Sequence, residues 1–156
     1  MNLTTHFTEA EAGITQDTPP EHRAAMVALL STIVEPIRDH VGMPLFINRP
    51  KQGIAMRGWR PPSSTVGSPT SQHRLGQAID FDLGGADLVP VWRWIAWSSG
   101  LPFGQVILER SNPGAWGWIH VSLGEPFRAR NRSRQVMFSP DAKNYVAATP
   151  STVLPR

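Results

Sequence analysis

Residues 78–83 (AIDFDL) alternate apolar and acidic side chains, a pattern that suits a β-strand with two unlike faces. Ile79 and Phe81 share one face, and Asp80 and Asp82 share the other. An ionised carboxylate that is buried without a partner costs several kcal/mol, so Asp80 requires a cation or a metal. The segment therefore predicts a strand between a hydrophobic core and a charged site.

Two later segments show the same alternation. In residues 105–110, Val106 and Leu108 share one face, and Ile107 and Glu109 share the other. In residues 117–123, the aliphatic side chains share one face, and Trp118, His120 and Ser122 share the other. If the aliphatic faces of all three strands pack into one core, then Asp80, Glu109 and His120 emerge together on the opposite surface. Further strands are predicted at residues 43–48 and 135–139.

Helical periodicity is clearest in the N-terminal part. Apolar residues recur there at spacings of three and four, at Met26, Leu29, Leu30, Ile33 and Ile37. Thr8 and Glu11 have the spacing of a capping box, and Thr18 with Pro19 predicts the start of the long helix, which Gly42 ends. Another helix is predicted over residues 87–100.

These elements predict an α+β fold. We expect a small, mainly antiparallel sheet that carries helices on one face and a zinc cleft on the other. Residues 1–139 are predicted to form this domain, and residues 140–156, rich in proline and poor in bulky side chains, a C-terminal tail laid over the surface or disordered.

Composition limits the chemistry. The 156 residues include no cysteine, which excludes disulfides, cysteine-ligated zinc and a thiol nucleophile, so a metal must be held by histidine and carboxylate. No apolar run approaches the ~20 residues that span a bilayer, and the first twelve residues lack the pattern of a signal peptide. We expect a monomer that is made without a signal and does not insert into membranes.

Four arginines, at positions 128, 130, 132 and 134, form a basic cluster. Such a cluster suits either a solvated loop or contact with a polyanion such as an anionic cell-wall polymer. The chain has no helix-turn-helix pattern and no aromatic residues interleaved with the basic ones. A nucleic-acid partner is therefore not expected.

His73, Asp80 and His120 are the candidate metal ligands. Taken alone, a histidine beside a strand is more often a hydrogen-bonded structural residue than a ligand. Here Gly76 permits a sharp turn after His73, and Asp80 and His120 both interrupt apolar runs. A zinc ion bound by Asp80 and His120 would offset the free-energy cost of burying these two polar side chains. A zinc site with three protein ligands keeps one coordination position open for water, as catalytic sites do.

Two motifs carry a resemblance to a known family. The pattern Ser-x-His-x-x-Gly-x-Ala-x-Asp at residues 71–80, followed by Trp-x-His-Val-Ser at residues 118–122, resembles the D-alanyl-D-alanine carboxypeptidase family of zinc peptidases, in particular its small branch common in bacteriophage genomes. The similarity extends upstream through Gly-Trp-Arg at residues 58–60 and covers roughly residues 6–123. It implies that His73, Asp80 and His120 bind Zn²⁺.

The resemblance also implies roles around the metal. Arg60 would bind or polarise the substrate, and Ser71 and Trp118 would lie in the substrate cleft. The alternative for Arg60 is an ordinary loop arginine.

A zinc peptidase also needs a general base, and at the position of this base the chain departs from the family pattern. Many relatives have a glutamate three residues before the second histidine or a histidine two before it, and this chain has Gly117 and Trp118 there. Glu109 is the only acidic residue between Asp87 and Glu125, and its strand position predicts that it is the base. The alternatives are an ion pair of Glu109 with an arginine, or Asp82 as the base.

The function implied is hydrolysis of an amide bond in peptidoglycan stem peptides, either between L-Ala and D-Glu or at the terminal D-Ala. A phage endolysin is expected, made in the host cytoplasm and released to the cell wall by a holin, or else a virion-associated enzyme. The alternative is a non-catalytic wall-binding phage domain that keeps the fold.

Overall fold

The computed structural model describes residues 1–112, 114–125 and 134–155. They form an α+β fold, as predicted, with helices and one five-stranded mixed sheet. The helices are α1 (Glu9–Ala12), α2 (Pro20–Leu29), α3 (Glu35–Val41) and α4 (Val89–Trp97), and a π-helical segment, Leu30–Val34, joins α2 to α3. The strands are β1 (Ala78–Phe81), β2 (Phe103–Glu109), β3 (Trp118–Leu123), β4 (Gln135–Ser139) and β5 (Val146–Ala147).

The strand order in the sheet is β1-β3-β2-β4-β5. The pairs β1–β3, β3–β2 and β4–β5 are antiparallel, and β2–β4 is parallel. The prediction of a mainly antiparallel sheet is therefore confirmed. Strand β4 has the predicted bounds, but alternation alone could not show that it would pair in parallel with β2.

The strand register confirms the predicted division of faces. Asp80 lies opposite His120, His120 lies opposite Ile107, and Glu109 lies opposite Trp118. Residues directly opposite each other in a sheet share a face, so these five side chains lie on one surface of the sheet.

The other face of the sheet is apolar. Ile79, Phe81, Val106, Leu108, Ile119 and Val121 are fully buried, and they belong to one hydrophobic core together with the predicted helical stripe from Met26 to Ile37. Burial of such side chains is the main favourable contribution to the folding free energy, at roughly 1.5 to 3 kcal/mol for each large aliphatic group. The sheet that carries the polar residues is thus anchored by its apolar side.

The N-terminal capping box is confirmed, since the Thr8 and Glu11 side chains each bond the other's backbone N–H. The second predicted cap is wrong. Helix α2 begins at Pro20, and the Thr18 hydroxyl instead accepts a hydrogen bond from the Thr15 N–H at 2.9 Å. That bond closes a local turn, an alternative that short hydroxyl side chains offer the backbone.

The predicted strand at residues 43–48 is also wrong. Only one bridge forms there, in which the N–H groups of Phe46 and Asp82 each donate to the other's carbonyl, at 2.9 and 3.0 Å. Pro44 has no N–H to donate on one side of this bridge. On that same side, the Asp82 carboxylate binds the Gly84 N–H at 2.7 Å. On the other side, the Asp80 N–H donates to the Arg57 carbonyl at 2.7 Å, so the ladder ends in both directions.

The C-terminal segment lies against the domain. Strand β5 pairs with β4, and the Arg93 guanidinium on α4 donates to the carbonyls of Pro150 and Thr152 at 2.9 and 2.8 Å. The boundary at residue 139 stays a prediction. No helix in the described part of the chain is long and apolar enough to cross a bilayer.

Of the basic cluster, Arg128, Arg130 and Arg132 lie outside the described residues. Arg134 donates to the carbonyls of Leu101 and Ala96, at 2.8 and 3.2 Å, and its guanidinium lies over the Phe103 ring. The Arg134 side chain therefore has structural contacts within the domain.

Candidate metal centre

His73 lies on a 3-10 turn, Gln72–Leu75, just before β1. Gly76 ends this turn at a φ of 67°, which L side chains rarely adopt, and a Cβ added there would lie 2.1 Å from the His22 carbonyl oxygen. Only glycine lets the turn pack this closely on α2. The glycine in the first motif thus has a structural role in positioning His73.

Three potential ligand atoms meet at the buried side chains of His73, Asp80 and His120. His120 Nδ1 lies 2.9 Å from Asp80 Oδ1 and 3.2 Å from His73 Nε2, and His73 Nε2 lies 3.3 Å from Asp80 Oδ1. Ligands bonded to a tetrahedral zinc at about 2.0 to 2.1 Å are separated by about 3.3 Å. The three atoms therefore already have nearly the spacing of three corners of a zinc coordination sphere.

The hydrogen bonds of the histidines bear on which nitrogen can bind a metal. His73 Nδ1 lies 2.9 Å from the Gly58 carbonyl oxygen, which accepts only from a protonated nitrogen. This contact leaves the Nε2 lone pair of His73 free to bind a metal, the usual arrangement of a metal-binding histidine and its outer partner. In His120, Nδ1 is the ring atom that faces the cluster, and Nε2 is buried without a hydrogen-bond partner among the described residues.

Arg60 contacts the outer side of this cluster. Its Nη2 donates to Asp80 Oδ2 at 3.0 Å, and its Nε donates to the Met56 carbonyl at 2.5 Å. Burial by itself raises the pKa of Asp80, but the neighbouring His73 and His120 outweigh it and hold that pKa well below its usual range. Asp80 is therefore an anion that is already oriented, with Oδ1 towards the histidines and Oδ2 bound by Arg60.

We expect Arg60→Lys to weaken metal binding by about 10- to 100-fold, the usual effect of losing an outer partner of a metal ligand. An ammonium group lacks the fork that holds Asp80 and the Met56 carbonyl together. The affinity for Zn²⁺ and the melting temperature of the metal-free protein are measured together.

A matched control for this variant is Arg74→Lys. Arg74 donates to the carbonyls of Pro61, Pro62, Ser64 and Ser68, and its contacts are those of a loop-fixing arginine. This control should lower the melting temperature and leave the zinc affinity unchanged. If Arg60→Lys behaves like Arg74→Lys, Arg60 is structural.

Glu109 is buried near the end of β2, with 6% of its surface exposed. Burial, followed by the charge of Asp80, raises the pKa of its carboxyl. Its Oε2 atom accepts a hydrogen bond from the Tyr145 hydroxyl at 3.2 Å. No lysine or arginine of the described chain forms an ion pair with Glu109, so the alternative of a strand-end ion pair is not found there.

Asp82, the alternative base, is occupied elsewhere. Its Oδ2 atom is bound by Arg49 and Arg57, and its Oδ1 atom by the Gly84 N–H. It lines a separate cavity of about 520 Å³ together with those two arginines. Asp82 therefore has a structural ion-pairing role, away from the metal cluster.

A cleft of about 850 Å³ opens over the cluster. It brings together every site residue predicted from the sequence, namely Arg60, Ser71, His73, Asp80, Glu109, Trp118 and His120. Sequence reasoning missed Tyr145, which lines the same cleft. The only available signal was that Tyr145 is the sole tyrosine of the chain.

A second group of possible ligands, His6, Glu35 and Asp39, lies nearer the surface. His6 Nδ1 lies 2.6 Å from Glu35 Oε2. Burial raises the pKa of Glu35, but the polar side chain of Thr4, followed by the hydrogen bonds and charge of His6, outweighs burial and lowers that pKa. None of the three lines the cleft. Their contacts are those of a surface pair between the N-terminal segment and α3.

Comparison with family models, with curated proteins and with solved structures finds no match for this chain. A functional assignment therefore depends on the chemistry of the cleft and on the sequence motifs that form it.

Proposed function

We propose that this protein is a zinc metallopeptidase that hydrolyses an amide bond in peptidoglycan stem peptides. One observation carries the proposal. Three ligand atoms, two from histidines and one from a carboxylate, converge within 3.3 Å of one another beside a cleft that a second buried carboxylate also lines. The choice of stem peptides as substrate rests on the resemblance of the two motifs to zinc peptidases of that class.

The donor set favours zinc over the alkaline-earth ions. Two imidazoles and one carboxylate suit a transition metal, while calcium and magnesium prefer oxygen ligands alone. Zinc bound by His73, Asp80 and His120 would supply a Lewis acid for the substrate carbonyl and for water.

Glu109 would take the proton from the attacking water and return it to the leaving amine. Its raised pKa suits this double role, because a carboxyl with a pKa nearer neutrality accepts and releases protons more evenly. Arg60 would hold Asp80 in its orientation both while the proton is taken from water and while it is returned to the amine.

The test is digestion of purified peptidoglycan, with and without a chelator. We expect release of peptides or of D-alanine that stops on chelation and returns when zinc is added back. Mass spectrometry of the products then distinguishes cleavage between L-Ala and D-Glu from loss of the terminal D-Ala. Binding to the wall without release of either peptides or D-alanine would contradict the proposal and favour the non-catalytic wall-binding domain.

In its biological setting, such an enzyme would serve as a phage endolysin or as a virion-associated enzyme. The two settings predict that the protein is found in different places, which an experiment can distinguish. An endolysin is absent from purified virions and accumulates late in infected cells, whereas a virion enzyme is found in purified particles by mass spectrometry.

A further inference from the structure

Tyr145 lines the cleft, and the mechanism above gives it no role. It directly precedes β5, where Ala147 lies opposite Met137 of β4. Side chains two residues apart on an extended strand share a face, so Tyr145 lies on the same side as Met137. Met137 in turn lies opposite Ile107, on the face of β2 that carries Glu109. The topology therefore directs the phenol towards the cleft.

The hydroxyl of Tyr145 contacts the proposed base directly. It donates to Glu109 Oε2 at 3.2 Å, across 36 positions of sequence, while the residue remains 48% exposed. Burial raises the pKa of Tyr145 to about 12, with further contributions from Glu109, so the phenol keeps its proton at neutral pH. A carboxylate has further lone pairs beyond the one used here, so Glu109 can still accept a proton.

The turn that carries Tyr145 is held in place. The Asp141 carboxylate accepts hydrogen bonds from the backbone N–H groups of Lys143 and Asn144, at 2.9 and 2.7 Å, and from the Asn144 side-chain amide at 2.6 Å. Together these bonds lower the pKa of Asp141 to about 2. Tyr145 is thus presented by a preorganised turn.

We propose that Tyr145 is a positioning residue, whose hydroxyl holds the Glu109 carboxylate in the orientation needed for proton transfer. The hydrogen bond itself is independent of the proposed function, but its effect on catalysis rests on that function, in which Glu109 is the general base. Trp118 lies opposite Glu109 in the sheet, and Asp80, His120 and Arg60 are the charged or titratable groups that face it. Tyr145 differs from these because it comes from the C-terminal segment.

The test compares kcat and KM of wild type and Tyr145→Phe on a soluble stem peptide. We expect kcat to fall about 10-fold or more, because misplacing a catalytic group is costly, with KM nearly unchanged. Zinc content and melting temperature should stay at wild-type values, since only one half-exposed hydroxyl is removed. Val146→Ala is the matched control, because Val146 is similarly exposed, at 44%, but lies opposite Phe138 of the core.

A double-mutant cycle decides whether Tyr145 acts through Glu109. In a Glu109→Gln background, Tyr145→Phe should cause little further loss of kcat. A loss of full size in that background, or wild-type kcat in the single variant, would overturn the proposal.

If the wild-type protein releases neither peptide nor D-alanine, the proposed function fails, and a second readout still tests the contact. Carbon-13 NMR of the Glu109 carboxyl should then show a higher pKa in Tyr145→Phe than in wild type, because a hydrogen bond to the charged form lowers the pKa. An unchanged pKa would overturn the orienting contact itself.

Discussion

Replacing His73, Asp80 or His120 with alanine should each abolish tight zinc binding and peptide release together. The wild-type protein should hold one zinc per chain after purification with metal present, because the three ligand atoms already lie 2.9 to 3.3 Å apart and little rearrangement is needed on binding. Removing one of three ligands leaves two, which catalytic zinc sites do not use. Elemental analysis and peptide release are measured on the same preparations.

Thermal unfolding provides a readout that does not depend on activity. A ligand that binds only the folded state raises its stability by about 4 kcal/mol at a free concentration of 1,000 times Kd. Added zinc should therefore raise the melting temperature of wild type and fail to do so for the three alanine variants.

His6→Ala is the matched control for these variants, since His6 belongs to the other ligand group near the surface. It should keep one zinc and full activity. Wild-type protein without a transition metal would contradict the metal site, and loss of zinc in His6→Ala would move it to the surface group.

Glu109→Gln should reduce turnover by ~10² to 10⁴, the usual contribution of a general base, while zinc content stays at one per chain. The amide keeps the shape of the side chain and its hydrogen bond from Tyr145 but accepts no proton. The acidic limb of the kcat/KM profile, which we expect above the ordinary glutamate pKa of 4.5, should disappear in the variant. Zinc content measured at each pH separates this limb from metal loss.

The same substitution has a predicted effect on stability. The folded-state pKa of Glu109 is raised above its unfolded value, so protonation stabilises the folded protein below the unfolded pKa, and this contribution is lost as pH rises through the folded pKa. Glutamine is neutral throughout. The melting temperature of metal-free Glu109→Gln should therefore match wild type near pH 4 and exceed it at pH 8.

Two results would contradict this role of Glu109. Retention of most of the activity would exclude it as the base, and the occupied oxygens of Asp82 make that residue a poor replacement. A lower melting temperature at pH 8 would indicate that Glu109 stabilises the fold, as a structural carboxylate does.

Local patterns allowed much of this fold to be predicted. Alternation along a strand has a period of two, so the faces of β1, β2 and β3 followed from the order of residues alone. The helical stripe and the Thr8–Glu11 capping box are likewise contacts within a few residues. The placement of Asp80, Glu109 and His120 on one surface depended only on which face was apolar.

Contacts between distant segments were decided by the tertiary structure. The sequence by itself determined the three metal-ligand candidates and the sheet face that carries two of them, Asp80 and His120, because residue type and parity are local properties. Only the folded chain decided that Arg60 binds Asp80, that two arginines occupy Asp82 and that Tyr145 reaches Glu109. The two residues of each pair are 20 to 36 positions apart in the sequence. They meet because of the conformation of the connecting loops and the parallel pairing of β4 with β2, which no local sequence pattern encodes.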